Sequence, residues 1–452
     1  MRDLTRGNPL KQILLFSLPI LLGNLFQQLY GMVDAVIVGR CLGDNAMAAV
    51  GATGSVNFFI LGFVQGTSSG FAIRTAQAFG AGDKREIRRS VRCCLILAVW
   101  LTVVMTSLSV PFLPWLLRFM KTPDDLLRDA VLYIQIICGG MFSAIFYNIM
   151  AAILRALGDS KTPLIFLIVS ALLNIALDLL LIAGFGMGVE GAALATVVAQ
   201  TLSAAACLVY GRKHCEYLHT GGERGQIPAR MYLDHLSVGV PMGLQFSVTA
   251  IGSMMLQSAF NRFGTAGATA YVVACKVEGI IMQPGQALAV TMSNYMGQNL
   301  GAKRYDRIVR GVRSAMLIGL CFSLAAMVVI YSVGEQMLGL FFSGEMPQQV
   351  REWGMLYLRV TTVFYIFLSG IFIFRDGLQG LGERAVPMLG GVLELIARMS
   401  VSMVLPGVIG YLGACFAPCA AWVSAGVLNC VFYFRLEKRW RRWGWLKEEK
   451  AA

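Results

Sequence analysis

The predominantly apolar run from Ile13 to Val38 limits what this chain can become more than any other feature. It exceeds the roughly 20 residues that a helix needs to cross a bilayer. It also carries Pro19 and, near its far end, Asp34. A carboxyl group inside a span must be protonated, paired or wetted, so it marks a functional site unless it sits at the membrane surface. Gln27, Gly31 and Asp34 recur at helical spacing, with Tyr30 one turn before the acid. That face bears an amide, a phenol and an acid, and is expected to line a cavity inside a helix bundle.

Eleven further apolar segments follow, giving twelve in all: roughly 12–39, 46–75, 90–113, 128–153, 162–184, 190–211, 236–260, 266–296, 312–333, 353–374, 386–408 and 411–434. Hydrophobic residues make up 57% of the 452, against about 45–50% in soluble domains. A net charge of +13 could suggest nucleic acid, but the basic residues sit in short loops between apolar runs. They concentrate in alternate loops, including Lys84–Arg92 and Lys303–Arg313, which by the positive-inside rule predicts both termini in the cytoplasm. The expected location is the plasma membrane. No secretory leader is expected, since the first run is too long and lacks a small-residue cleavage pattern.

The chain repeats itself. AQAFGAGDKREIRRSVR from Ala76 matches GQNLGAKRYDRIVRGVR from Gly297, pairing Gln77 with Gln298, Gly80 with Gly301 and Arg92 with Arg313 at an offset of 221. Pro19 pairs with Pro241, and RALGDSKTP from Arg155 matches QGLGERAVP from Gln379. Six spans in each copy give both copies the same orientation, so the pseudo-twofold axis lies along the membrane normal. This predicts an all-α polytopic membrane protein with twelve transmembrane helices in two six-helix lobes. Their bounds are expected at 1–211 and 236–434, with an inter-lobe cytoplasmic loop at 212–235 and a basic, Trp-rich tail at 435–452. Paired repeats around a central cavity are a transporter plan.

The stretches SLPILLGNLFQQLYGMVDAVIVGR, GQNLGAKR and LRALGDSKTP, the last followed by a span carrying Asn174 and Asp178, resemble the MATE family of multidrug and toxic-compound extrusion proteins. Acids in the first and fifth spans make the DinF-like bacterial branch the nearest pattern. The resemblance implies two lobes meeting in a V. It also implies export of bulky, often cationic organic compounds against inward sodium or proton flow.

Asn174 and Asp178 are four apart and share a helix face. Counting rise per residue puts Asp178 and Asp34 at similar depth in the outer half of one lobe. Two carboxyls brought within several Å would titrate as a unit and share a proton. Alternatively, their oxygens and those of neighbouring amides and hydroxyls would surround sodium, a hard cation. Thr196 and Asn148 could complete that set, so Asp178, Asn174, Asn148 and Thr196 are the possible sodium ligands, on positions resembling the family's first-lobe cation site; the depth count places Asn148 too near the cytoplasm. Asn174 and Thr196 could also simply bond neighbouring helices. Pro19, lacking a backbone donor, is the expected bending point of the first helix.

The second lobe does not duplicate the acid pair: Leu256 stands against Asp34, Arg398 against Asn174 and Ser402 against Asp178. The seventh span offers Gln245 and Thr249 but no acid, a departure from the NorM branch. Gln27, Tyr30, Gln245 and Glu278 are candidate cavity or substrate residues, Glu278 either contacting a cationic substrate or pairing with a nearby cation. Glu394 and Arg398 are expected to form an ion pair within the eleventh span. Asp376 is expected at the membrane interface.

Other signals carry no chemistry. Gly186, Gly188 and Gly191 spell GxGxxG between two spans, without the strand–helix context of a dinucleotide site. His214, Cys215 and His219 lack a fourth ligand, and Cys415 and Cys419 lack zinc-site spacing. The absence of GxxxxGK[ST] excludes P-loop ATP hydrolysis. The tail around Trp440, Trp443 and Trp445 reads as an interfacial helix on the inner leaflet, not a nucleic-acid arm. The expectation is a secondary antiporter, not an enzyme, without cofactor, with sodium or protons as coupling ion. Its partners would be small organic cations or amphipathic drugs and the bilayer, and it would be a monomer. A lipid-linked oligosaccharide or polysaccharide flippase of the same broader fold is the alternative; twelve spans and acidic cavity residues disfavour it.

Overall fold

The computed structural model describes residues 2–120, 122–218, 227–342 and 344–446, apart from the side chain of Asp44. The expected loop at 212–235 is therefore described only at its two ends, the tail only to Leu446, and His219 lies outside the described residues. Among the described residues every regular element is helical.

The first half of the chain forms α1 (Pro9–Leu42), α2 (Asp44–Ala81), α3 (Lys84–Phe119), α4 (Asp124–Gly139), α5 (Met141–Ala156), α6 (Lys161–Asp178) and α7 (Val189–His214). The second half forms α8 (Ala229–Asn261), α9 (Gly264–Ile281), α10 (Gln283–Gly301), α11 (Tyr305–Gly339), α12 (Gln348–Val363), α13 (Tyr365–Gly370), α14 (Asp376–Gly380), α15 (Ala385–Ile409) and α16 (Tyr411–Arg442). Wide π-helical turns follow α6 at Leu179–Gly184 and join α13 to α14 at Ile371–Arg375.

Among the described residues, nine helices are long and apolar enough to cross a membrane, and three bent pairs bring the spans to twelve. The helices outrun the apolar segments read from sequence because they continue into the charged surface layers. Polar caps start several of them. Asn8 Oδ1 accepts from the Leu10 amide at 2.9 Å, with Pro9 at the first helical position. Asp83 Oδ1 accepts from the Arg85 and Glu86 amides at 3.0 Å. Asp159, in the GDSKTP turn, accepts from Lys161 and Thr162.

The bends divide spans that read as single runs. The fourth bends by 47° between α4 and α5, at Gly139–Gly140, and the eighth by 47° between α9 and α10, just before Pro284. The tenth bends by 52° between α12 and α13 at Phe364. Phe364 stands at the repeat position of Gly140, by the spacing that relates Gln379 to Arg155.

The chain packs as two compact units: Met1–Asp3 with Leu22–Phe246, and Leu4–Leu21 with Ser247–Ala452. Packing therefore divides the chain at different points from the repeat. The N-terminal half of α1 belongs to the second unit, and α8 up to Phe246 to the first. In the second unit Leu4, Ile13 and Phe16 are buried with Leu288, Met292 and Tyr295 of α10. Arg307 fixes this segment, its guanidinium donating to the carbonyls of Leu4, Arg6 and Gly7. In the first unit a seam of small residues joins α2 to α8. A Cβ on Gly70 would lie 2.5 Å from Gly239 Cα, so the two backbones meet there.

Each unit has its own core, Val64, Val91, Ile134 and Ile149 in the first and Phe260, Ile330, Leu358 and Tyr365 in the second. Large apolar side chains also cover the outer faces, among them Trp100, Leu108, Val328 and Val408. A surface of this kind is at home only in lipid. The sequence-predicted tail helix is not separate: α16 runs on to Arg442, Trp440 is buried, and Tyr305 packs between Trp440 and Trp445 with ring centroids 5.1 and 4.9 Å away.

Candidate functional site

The unit-1 pocket draws on four helices. α1 supplies Tyr30 and Asp34 one turn apart, α4 supplies Tyr133, α6 ends on Asn174 and Asp178, and α7 contributes Thr196. Asn174 is 1% exposed and Asp178 0%. The carboxyl groups of Asp34 and Asp178 are within hydrogen-bond reach of one another. A bond between two carboxyls needs a proton on one of them, since two carboxylates have only acceptors. Oδ1 of Asp34 is shielded from solvent and has no hydrogen-bond partner among the described residues.

A second chain of bonds holds the rim. Thr196 Oγ1 donates to the Ala192 carbonyl at 3.1 Å and accepts from Asn174 Nδ2 at 3.3 Å. The Tyr30 hydroxyl also bonds Thr196. One donated and two further bonds use the full capacity of a hydroxyl. Tyr133 is buried beside Asp34, Tyr30 and Asp178. It is absent from the residues singled out in the sequence. The π-helical turn starts at the residue after Asp178, and such turns recur at functional positions in helices.

Asn148 donates its side-chain amide to Ala144 of its own helix at 2.8 Å. Gln27 is exposed on α1. Gln245 is buried on the part of α8 that belongs to the first unit. Pro19 lies inside the unbroken helix α1, three residues before the chain passes from one unit to the other.

In the second unit Glu278 of α9 accepts from the hydroxyls of Tyr357 at 3.0 Å and Tyr365 at 3.2 Å. Arg398 is close enough to act on it electrostatically, yet its Nη2 bonds Glu394 at 2.7 Å. Arg375 Nη1 lies 3.8 Å from the other oxygen of Glu394, and its Nε lies 3.4 Å from Asp376. Arg398, Glu394, Arg375 and Asp376 thus alternate in sign along one row, buried at Arg398 and Glu394 and half-buried at Arg375 and Asp376. Lys276 takes no part; its ammonium sits over Phe341 at 5.5 Å. Space for Arg398 comes from Gly252, where a Cβ would lie 2.5 Å from Nη1.

Comparison with known proteins places this twelve-span, twofold-repeated helical chain. The MatE family model matches it twice, over residues 19–180 and 241–404, beginning each time at one of the paired prolines. The probable multidrug resistance protein YpnP of Bacillus subtilis is 30% identical over 396 residues, covering 87% of each chain. The probable multidrug resistance protein NorM of Thermotoga maritima is 26% identical, covering 98% of this chain and 95% of its own. A solved MOP superfamily transporter from Pyrococcus furiosus shares the fold, with a TM-score of 0.90 at 24% identity over 97% of this chain and 98% of its own. This chain belongs to the MatE family of multi-pass membrane transporters.

Proposed function

We propose that this protein is a secondary antiporter that exports bulky organic, often cationic, compounds across the plasma membrane. The relatives named as multidrug resistance proteins support the direction and class of transport. The observation that carries the coupling reading is the carboxyl–carboxyl contact of Asp34 with Asp178. It favours a proton as the coupling ion, because the pair in this arrangement already needs one. Sodium is served less well: the Thr196 hydroxyl is committed to Ala192, Asn174 and Tyr30.

In this reading both termini face the cytoplasm, and the protein works as a monomer. A proton entering from outside is held between Asp34 and Asp178. Loading both carboxyls removes the charge that keeps the pocket open to water and lets α1 bend at Pro19, releasing substrate. Glu278, screened by two phenols, offers negative charge to a cationic substrate in the second unit.

Proteoliposomes holding the purified protein and ethidium, driven separately by a pH gradient and by a sodium gradient, test this. Export is expected under the pH gradient alone. Export driven only by sodium would replace the proton reading, and export with neither gradient would end the antiporter reading. Pro19→Ala should slow turnover more than it weakens ethidium binding.

A further inference from the structure

An apolar groove of about 560 Å³ opens on the surface of the second unit, between α11, α13 with its following π turn, and α16. Leu317 and Leu320, Ile366 and Phe367, and Val427 and Val431 form its walls. Its floor is made by glycines: a Cβ on Gly426 would lie 3.0 Å from the Phe367 carbonyl oxygen, so α16 sinks toward α13 there. The one hydroxyl in the lining, Ser369, is already engaged with Ser323 at 3.2 Å. Nothing in the walls would orient a polar drug, which ordinarily requires a few placed polar groups.

One end of the groove is basic. On α11, Arg313 lies one turn before Met316 and Leu317 on the same face, and on α16 Arg435 lies one turn after Val431. Both are exposed, and Lys438 is exposed a turn further on. Arg313 acts electrostatically on Tyr433, which places it toward the same end of α16 as Arg435. From Gly426 to Arg435 a helix rises by about 14 Å. That is close to half of a hydrocarbon core about 30 Å thick. Apolar walls one leaflet deep, ending in cations at the level of the polar layer, match one molecule.

We propose that this groove is a binding site for an anionic phospholipid of the leaflet on the side of the C-terminus. One acyl chain lies between Leu317, Phe367 and Val431, and the phosphate is held by Arg313 and Arg435. The site is separate from the carboxyl pair and does not depend on the antiporter reading.

Native mass spectrometry of the purified full chain, titrated with dioleoylphosphatidylglycerol or dioleoylphosphatidylcholine, tests it. One phosphatidylglycerol should be retained well above the phosphatidylcholine level. In Arg313→Gln/Arg435→Gln its affinity should fall roughly 30-fold, the product of two basic residues at about 1 kcal/mol each. Val427→Trp, which fills the groove from an exposed position, should remove binding of both lipids there. Arg85→Gln/Arg89→Gln, in the other unit, should leave the retained lipid in place. Should Val427→Trp fail to fold, the charge variants still decide. Equal retention of the two lipids, unchanged retention in Arg313→Gln/Arg435→Gln, or displacement of the lipid from the groove by ethidium would overturn the proposal.

Discussion

Asn174 and Arg398 hold the same place in the two repeats, and the pockets around them differ accordingly. In the first unit Asn174 is neutral, Tyr30 fills the space next to it, and Asp34 meets Asp178. In the second unit Gly252 stands at the repeat position of Tyr30 and Leu256 at that of Asp34. Removing the phenol makes room for the guanidinium, and the guanidinium needs an acid. Tyr133 and Tyr357 are also repeat partners, one beside the acid pair and the other bonded to Glu278. The same scaffold thus carries a pair whose charge depends on a proton in one unit, and a row neutralised by fixed partners in the other. The proposed coupling role therefore falls to the first alone.

The comparison breaks first at Glu394. Glu394→Gln takes from the buried Arg398 its bonded acid, while Arg375 keeps Asp376, and should cost about 3–5 kcal/mol of stability. Thermal melting in detergent reads this, and an unchanged melting temperature would mean the row is not holding the unit together.

Next in size, Asp34→Asn and Asp178→Asn should each fold normally and lose gradient-driven export, since each removes one titratable group of the pair. Ethidium binding should persist in both. Export at the parent rate under the same pH gradient would remove the pair from the mechanism. Equal losses in the two variants would sharpen the comparison, because a coupled pair acts as one titrating unit.

The two tyrosines give a finer contrast. Tyr357→Phe loses a hydrogen bond to a carboxyl and should destabilise by about 1.5–3 kcal/mol. Tyr133→Phe should melt nearly as the parent does but shift the pH profile of export. Matching effects on both readouts would erase the difference between the pockets.

The smallest effect concerns a turn that the repeats share. Gly82 ends α2 in a left-handed conformation at φ 72°, and its repeat partner Lys303 adopts φ 56°. Left-handed backbone costs a residue with a Cβ roughly 1–2 kcal/mol, so Lys303→Gly should stabilise the second unit by about 1 kcal/mol. A drop in melting temperature would show that the lysine side chain earns its place there.

Much of this was legible in the sequence because lipid leaves little freedom: a long apolar run must become a helix. The bends were partly legible. Gly139–Gly140 and Gln283–Pro284 are breaking signals, whereas Phe364 has none of its own and stands out only through its repeat partner Gly140. Asp34, Asp178, Asn174, Thr196 and Tyr30 were visible as polar groups at matching depth and spacing. Tyr133 was not, since a tyrosine in an apolar run looks like core; the repeat pairing with Tyr357 was the signal that could have found it. The charged row could be read only in part. Glu394 and Arg398 are four apart on one helix, but Arg375 reaches them through the π turn, which no local pattern announces.

The half-helices of α1 and α8 have a consequence for how such a protein could arise. Each unit is completed by chain from the opposite repeat: Leu4–Leu21 in one and α8 up to Phe246 in the other. A chain encoding one repeat alone would lack the half-helix that the opposite repeat supplies here, and two copies exchanging that half-helix would restore it. Fusing two copies would convert that exchange between molecules into an exchange within one polypeptide. A modern chain severed in the 219–226 stretch should accordingly be rescued by co-expressing its two fragments, while neither fragment accumulates alone.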